Sequence, residues 1–514
     1  LAAGKKWQEK TDKNICLRIL SFPFGFITIL SLFAAFLVVN LVEWVKMTCG
    51  NVSFSIILLQ LTSPIKGTDS GIINSIIKTA VVPPVLLAVA AVLCYLFIVR
   101  GMYALEDLPV KKIPRWSKIC IEVVMVVFFL HTVQIQGTEI GMWDYIQSVR
   151  ESSDFYEKEY VNPTKVKMTF PKEKKNLIYI FMESMESSYA DKEDGGTMDD
   201  NYIPNLTKLA RENVQFTDKK DGKVGGPVCL EATAYTAGGL VAQTSAINLK
   251  VMNSGAVSDS FLPNLTALGD ILNKQGYNQM FLCGSDGDFA GRDAYFKTHK
   301  DYQIEDYKAA IKEGDIPKDY KVYWGHEDKV LYERAKKNLK KLSKEGKPFN
   351  LTMLTVDTHF PNGYICDLCE NKYDTTYGNA VACADRQVYD FVQWIKKQDF
   401  YEDTTIIIAG DHTSMVDTGS KFWKSLSNDY QRTVYNAIIN PQCAYKKKVT
   451  TKRKFSTMDM FPTTLAALGV EIDGNKLGLG TNLFSGEETL REQLGANYIN
   501  KELKRNDKMY NQFY

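Results

Sequence analysis

Apolar residues follow two different rhythms along this chain. In the first 140 residues they form long uncharged runs, and beyond residue 170 they form short runs bounded by turn residues. No charged side chain occurs from Ile19 to Val42 or from Thr79 to Val99. A helix needs ~20 apolar residues at ~1.5 Å each to cross a bilayer. Both runs therefore predict membrane spans, the second kinked or begun at Pro83-Pro84. Ile119 to Ile135 predicts a third, in which Glu122 and His131 read as polar residues near the interface or in a helix contact, in preference to headgroup ligands.

The stretch Val52 to Leu61 is too short to span and predicts a helix on the membrane surface. Basic residues set the orientation. Lys5, Lys6, Lys10, Lys13 and Arg18 precede the first span, and Arg100, Lys111, Lys112, Arg115 and Lys118 lie between the second and third. The positive-inside rule then puts the N-terminus in the cytoplasm and everything after about residue 137 outside. The first apolar run is too long for a cleavable signal peptide. The chain starts at Leu1 and not Met, so an upstream piece is expected.

Beyond the spans, residues 138–170 read as a helical connector, 171–490 as a long extracellular domain and 491–514 as a tail with a terminal helix on the surface, with 1–137 as the membrane domain. Strand-like runs occur at Asn176–Met182, Gln279–Cys283, Phe349–Val356 and Thr404–Gly410, alternating with amphipathic stretches such as Asn205–Arg211 and Ala384–Lys397. Strands buried on both faces and alternating with helices predict a mainly parallel α/β sheet. The net charge of +2 gives no support to a nucleic-acid partner.

Open α/β sheets bind ligands beyond the carboxyl ends of their strands. Glu183, His359 and the pair Asp411-His412 each follow such a run. Thr236, in the small-residue run Glu231–Ser245, supplies a hydroxyl that becomes a nucleophile only with an activator. Two carboxylates, an imidazole and a hydroxyl form a hard O/N set suited to Mn²⁺, Mg²⁺ or Zn²⁺.

These residues carry a resemblance. Met182-Glu183-Ser184, Tyr235-Thr236 with Gly238-Gly239, the run Gly284–Asp293, Thr358-His359-Phe360-Pro361, Gly410-Asp411-His412 and Ser456–Leu465 resemble the lipoteichoic acid synthase and phosphoglycerol transferase branch of the sulfatase-like, alkaline-phosphatase-type superfamily. The similarity covers residues 170–485, although lipoteichoic acid synthases carry more spans than the three counted here. It implies a sulfatase-like ectodomain behind a helical membrane domain. It also implies one metal ion, usually Mn²⁺, at Glu183, Thr236, Asp411 and His412, with Thr236 as nucleophile. Arg292 would hold the phosphate, with His359, and Asp286 as a further polar contact, beside the substrate. The implied reaction takes glycerol phosphate from phosphatidylglycerol to an envelope acceptor, a lipoteichoic acid or a glycan. Cys283 and Ala290 stand where lipoteichoic acid synthases carry a histidine and a tryptophan, which moves weight towards transferases that decorate glycans or other acceptors.

A sulfatase needs a Cys-x-Pro-x-Arg context, which none of the ten cysteines has, and five histidines leave little for a second metal. The alternatives are a phosphoethanolamine transferase and a non-catalytic envelope sensor or binding module. Cys366-Asp-Leu-Cys369 with Cys383 and Cys443 reads as a crosslink in preference to a zinc knuckle. Cys229 and Cys283 lie near the site motifs. Lys446–Lys454 reads as a solvated basic loop, and Asp459 as a cap.

Overall fold

The structure, a computed structural model, describes residues 23–49, 54–62, 70–104, 115–220, 222–250, 260–300, 302–416, 418–427 and 429–514. Lys5, Lys6, Lys10, Lys13, Cys16, Arg18, Lys111 and Lys112 lie outside the described residues. The chain divides into two units, residues 1–48 with 70–144, and residues 49–69 with 145–514.

The first unit is helical. Helix α1 is Pro23–Cys49, and α3 (Ser70–Ile76) continues through a π-helical turn, Ile77–Val81, into α4 (Val82–Ala104); α5 is Arg115–Glu139. Three stretches, Phe26–Thr48, Gly71–Cys94 and Ile119–Glu139, are long and apolar enough to cross a membrane. Their large side chains are exposed along their length, with Leu86 63% and Val124 63% accessible. Apolar surface of that extent is what lipid covers.

Pro83 and Pro84 do not begin the second span, which starts earlier. The two prolines supply no N–H to the preceding turn, and that turn widens so that Val82 N–H donates to Ile77 O. A π-turn of this kind carries a helix past missing donors without breaking it.

The second unit is an α/β domain. Its six-stranded sheet comprises β1 (Asn176–Met182), β2 (Asn278–Cys283), β3 (Gln303–Glu305), β4 (Phe349–Leu354), β5 (Thr404–Gly410) and β6 (Asn436–Ile439), in spatial order β3-β2-β4-β1-β5-β6. Every pairing is parallel except β5 with β6. Ile178, Ile180 and Met182 of β1 face one apolar cluster, and Leu177, Tyr179 and Phe181 face the other. Burial on both faces is why the run reads as continuous apolar sequence and not as an alternation.

After α6 (Met142–Arg150), helices α7 (Pro204–Glu212), α8 (Thr236–Ser245), α9 (Arg292–Thr298), α10 (Asp328–Leu342), α11 (Thr376–Ile395), α12 (Met460–Ala467) and α13 (Ala496–Lys504) accompany the sheet. Asp385 of α11 caps α7 from a distance, accepting from Leu206 N at 2.7 Å and Asn205 Nδ2 at 2.7 Å.

Two segments pack differently from their sequence reading. Helix α2 (Phe54–Thr62) groups with the α/β domain, where Ile56 joins the core and Ser55 Oγ donates to Glu231 at 2.9 Å. Residues 491–514 are not a surface tail, because Ile499, Leu503, Tyr510 and Phe513 are buried in the same core. Their apolar residues are spaced along polar sequence, so only the receiving surface reveals their burial. Arg453 likewise leaves the basic loop to form a forked pair with Glu492, at 2.9 and 3.1 Å. Asp459 is the cap its sequence suggests, accepting from Ser456 N and Thr481 N at 2.8 Å each.

Candidate functional site

The order of strands assembles the site. Because β4, β1 and β5 are adjacent and parallel, the residues that follow each of them lie on one rim. Glu183 comes from β1, Thr355–His359 from β4, and Asp411-His412 from β5. The loops lock together: Glu183 N–H donates to Thr355 Oγ1 at 2.9 Å, Ser184 N–H to Asp411 Oδ1 at 2.8 Å, and Thr358 Oγ1 to the Glu183 carbonyl. Ser184 pays a strained backbone for this, at φ 51°.

Thr236 is delivered by a helix, as the first residue of α8. Its Oγ1 lies 3.2 Å from Glu183 Oε2 and 3.3 Å from His412 Nε2. The positive end of the helix favours negative charge at that oxygen. Gly239, one turn into α8, lets the helix approach the metal-ligand candidates, because a Cβ there would sit 2.2 Å from the Asp411 carbonyl oxygen. Gln243 Nε2 donates to the Gly410 carbonyl at 2.9 Å and holds the same approach.

Glu183, Asp411 and His412 are buried, with ligand atoms all within 4.8 Å of one another. His412 Nδ1 donates to the Thr413 carbonyl at 2.8 Å, which leaves Nε2 facing Thr236, Glu183 and Asp411. Asp411 Oδ1 accepts two backbone N–H groups, while Oδ2 is buried with no hydrogen-bond partner among the described residues. An orphaned carboxylate oxygen beside a second carboxylate and an imidazole is costly without a cation. The donor set fits one divalent metal ion held by Glu183, Asp411 and His412, with Thr236 as a fourth donor.

The protonation balance of the cluster is that of a crowded charge site. Burial works against the Glu183 carboxylate, but the imidazoles of His359 and His412 outweigh it and hold its pKa low, at about 2. Burial and Glu183 together push Asp411 up. Burial opposes the His412 imidazolium, but Asp411 and Glu183 raise its pKa overall. Two carboxylates sharing a pocket thus retain a proton that a bound cation would replace.

His359 is half-buried against Trp324, with ring centroids 4.6 Å apart. Its Nδ1 donates to the Phe360 carbonyl at 2.8 Å, so Nε2 carries the lone pair when the ring is neutral. Burial lowers its pKa. Arg292, at the start of α9, is buried, and it donates from Nε to the Phe289 carbonyl at 3.0 Å and from Nη2 to the Asp286 carbonyl at 2.8 Å. Those two bonds fix the plane of the guanidinium. The Asp286 carboxylate itself is paired with Lys308 at 2.7 Å, and Lys308 also bridges to Asp288 at 2.6 Å. Cys283 is buried at the end of β2, donating to the Ser285 carbonyl at 3.4 Å, and Ala290 turns through φ 55°.

Sequence reasoning missed several groups. Asp328, the first residue of α10, accepts from Val356 N at 2.8 Å and Asp357 N at 3.1 Å and so braces the His359 loop. The buried Glu186 and the partly exposed Arg432 form an ion pair against the His412 loop. Glu186 stands in the motif Glu183-Ser-Met-Glu186, but no spacing points to an arginine 246 positions away. The crosslink expected among the later cysteines is a disulfide between Cys369 and Cys383 that ties the His359 loop to α11, with Cys366 Sγ 3.6 Å from Cys369 Sγ and 4.0 Å from Cys383 Sγ. Cys229, Cys283 and Cys443 are free thiols whose pKa burial raises.

Comparison with known proteins gives this rim a family. The family model described as Sulfatase matches residues 175–470, more than half of the chain. The chain belongs to the sulfatase family. Among curated proteins it is similar to phosphoglycerol transferase I of Shigella flexneri, 33% identical over 64% of this chain, and of Escherichia coli strain K12, 32% identical over the same share. The chain spans 41% of the length of each of these relatives.

Among solved structures it is similar to the lipooligosaccharide phosphoethanolamine transferase A from Neisseria meningitidis, an integral membrane protein. That match is 14% identical and covers 89% of this chain and 87% of the other, with a TM-score of 0.52. A lipoteichoic acid synthase, LtaP, from Listeria monocytogenes matches at 18% identity over 62% of this chain and 79% of the other, with a TM-score of 0.49. The family, the parallel sheet and the apolar N-terminal helices accord with the fold expected from the sequence.

Proposed function

We propose that this protein is a membrane-anchored phosphoglycerol transferase. It moves glycerol phosphate from phosphatidylglycerol to a hydroxyl of an envelope acceptor, a lipoteichoic acid or a glycan, through a covalent intermediate on Thr236. The observation that carries the reading is the convergence of Thr236 Oγ1 on Glu183 and His412 at a helix N-terminus, beside the unpartnered Asp411 oxygen. The names of the curated relatives support glycerol phosphate as the transferred group. In this reading the three apolar helices span the cell membrane, with the catalytic domain outside.

Mn²⁺, or Mg²⁺ or Zn²⁺ in its place, bound by Glu183, Thr236, Asp411 and His412 would lower the hydroxyl pKa and offset the phosphoryl charge. Thr236 Oγ1 loses its proton and forms a bond to phosphorus as the bond to the diacylglycerol oxygen breaks. Arg292 steadies the phosphoryl oxygens with the N–H groups not spent on backbone carbonyls. His359 returns the proton released by Thr236 to the leaving diacylglycerol oxygen. In the second half it takes the proton of the acceptor hydroxyl, a task that its lowered pKa suits at neutral pH. The acceptor oxygen then bonds to phosphorus as the bond to Thr236 Oγ1 breaks, and the proton held by His359 returns to Thr236 Oγ1.

The test uses the full chain in detergent with labelled phosphatidylglycerol and Mn²⁺, followed by mass spectrometry of the Thr236 peptide. Release of diacylglycerol with a glycerophosphoryl group on Thr236, both lost in Thr236→Ala, is expected. Diacylglycerol release without an adduct, or an adduct elsewhere, overturns the mechanism. An adduct from phosphatidylethanolamine instead makes the protein a phosphoethanolamine transferase, and metal binding with no turnover makes it an envelope sensor or binding module.

A further inference from the structure

The loop carrying Asp411 and His412 is gripped by an ion pair that the chemistry above does not use. Glu186 is fully buried, three residues after Glu183. Its Oε1 accepts the Ser414 N–H at 2.7 Å and a bond from Arg432 Nη2, and its Oε2 accepts from Arg432 Nε at 3.0 Å and Ser188 Oγ at 2.8 Å. Arg432 Nη2 also donates to the Ser414 carbonyl at 2.7 Å. The pair therefore holds both backbone groups of one residue, two positions after His412. The guanidinium lies over the Trp423 ring at 4.5 Å, which keeps the planar fork in register.

A second tether runs between the same two loops. Tyr377 OH donates to Ser414 Oγ at 2.9 Å and lies 3.1 Å from Tyr189 OH, and Tyr189 OH donates to the Ser184 carbonyl at 2.9 Å. One loop carries Glu183 and the other carries Asp411 and His412. An ion pair with one partner buried is weak evidence for stability, since the cost of desolvation offsets much of the attraction. Its geometry here has a different use.

We propose that Glu186 and Arg432 are positioning residues for the metal centre, clamping the Asp411–Ser414 loop to the Glu183 loop so that the ligand atoms are set before the ion arrives. The inference rests on the metal reading of the site given above. Residues that support metal ligands from outside typically change affinity by 10- to 100-fold when altered.

The experiment measures Mn²⁺ affinity by calorimetry on the full chain in detergent, with the thermal midpoint measured in chelator. The double variant Glu186→Gln/Arg432→Met removes both charges and leaves neither buried alone. Arg432→Lys keeps the charge and loses the fork, and serves if the double variant does not fold. Each folded variant is expected to keep its metal-free thermal midpoint while Mn²⁺ binding weakens about 10- to 100-fold in the double variant and less in Arg432→Lys. Mn²⁺ affinity within twofold of the unaltered chain in a folded variant overturns the clamp. A fall in affinity matched by a fall in the metal-free midpoint in both variants assigns the pair to stability alone and also overturns it. Failure of the unaltered chain to bind Mn²⁺, Zn²⁺ or Mg²⁺ overturns the metal reading itself, and with it the clamp.

Discussion

Gly239→Ala tests the site's assembly with a single methyl group. The added Cβ would lie 2.2 Å from the Asp411 carbonyl oxygen and 2.8 Å from its carbonyl carbon, both backbone atoms that no rotamer change can move. Ordinary contact begins at 3.4 Å, so helix α8 and the Asp411 loop must part by about 1.2 Å. Overpacking of this kind costs about 1–3 kcal/mol of stability. Its effect on chemistry is larger, because Thr236 rides on α8 while Asp411 and His412 ride on the loop, and a misplacement of ~1 Å can cost ~10²-fold in rate. The assay is diacylglycerol release from phosphatidylglycerol in detergent with saturating Mn²⁺, alongside the thermal midpoint. A rate loss of about 100-fold in a folded protein is expected. A folded Gly239→Ala protein with activity within twofold of the unaltered chain would refute the argument that this glycine sets the separation of nucleophile and ligands.

Two further outcomes follow from other parts of the domain. Burial lowers the pKa of His326 from 6.5 to about 4, and its Nε2 is buried without a partner among the described residues. The folded state thus takes up the proton later than the unfolded state. The stabilising contribution is complete above about pH 6.5 and is lost as pH falls towards 4, by about 3 kcal/mol in total. Chemical denaturation across that range should show a shallower loss in His326→Asn, and an unchanged slope would contradict the assignment. Arg292→Lys keeps one charge but loses the planar fork that two backbone carbonyls orient, so kcat/KM for the phospholipid should fall by about 10- to 100-fold with little change in thermal midpoint. Equal kinetics for the two residues would remove the phosphate role from Arg292.

Much of the architecture is legible from local pattern. The strands Asn176–Met182 and Thr404–Gly410 coincide with the runs read from the sequence, and the three apolar helices overlap the predicted spans. Glu183, Asp411 and His412 were readable because each ends a strand-like run, and strand ends are where parallel sheets place chemistry. Strands β3 and β6 escaped notice, since three and four residues carry too little periodicity to be seen. The terminal stretch 491–514 and helix α2 gave no signal that a core would receive them.

The sequence by itself determined the long strands of the sheet centre, the long apolar helices, and which side chains could do chemistry. Those properties follow from backbone period, burial and donor type, all of which are local. Tertiary structure alone decided that β1 lies between β4 and β5, bringing Glu183, His359 and His412 to one rim, and that Thr236 meets them from a helix end. It also decided that an arginine 246 residues from Glu186 braces the loop that follows β5. Strand order and such pairings depend on which distant surfaces bury each other, and no window of sequence contains that information.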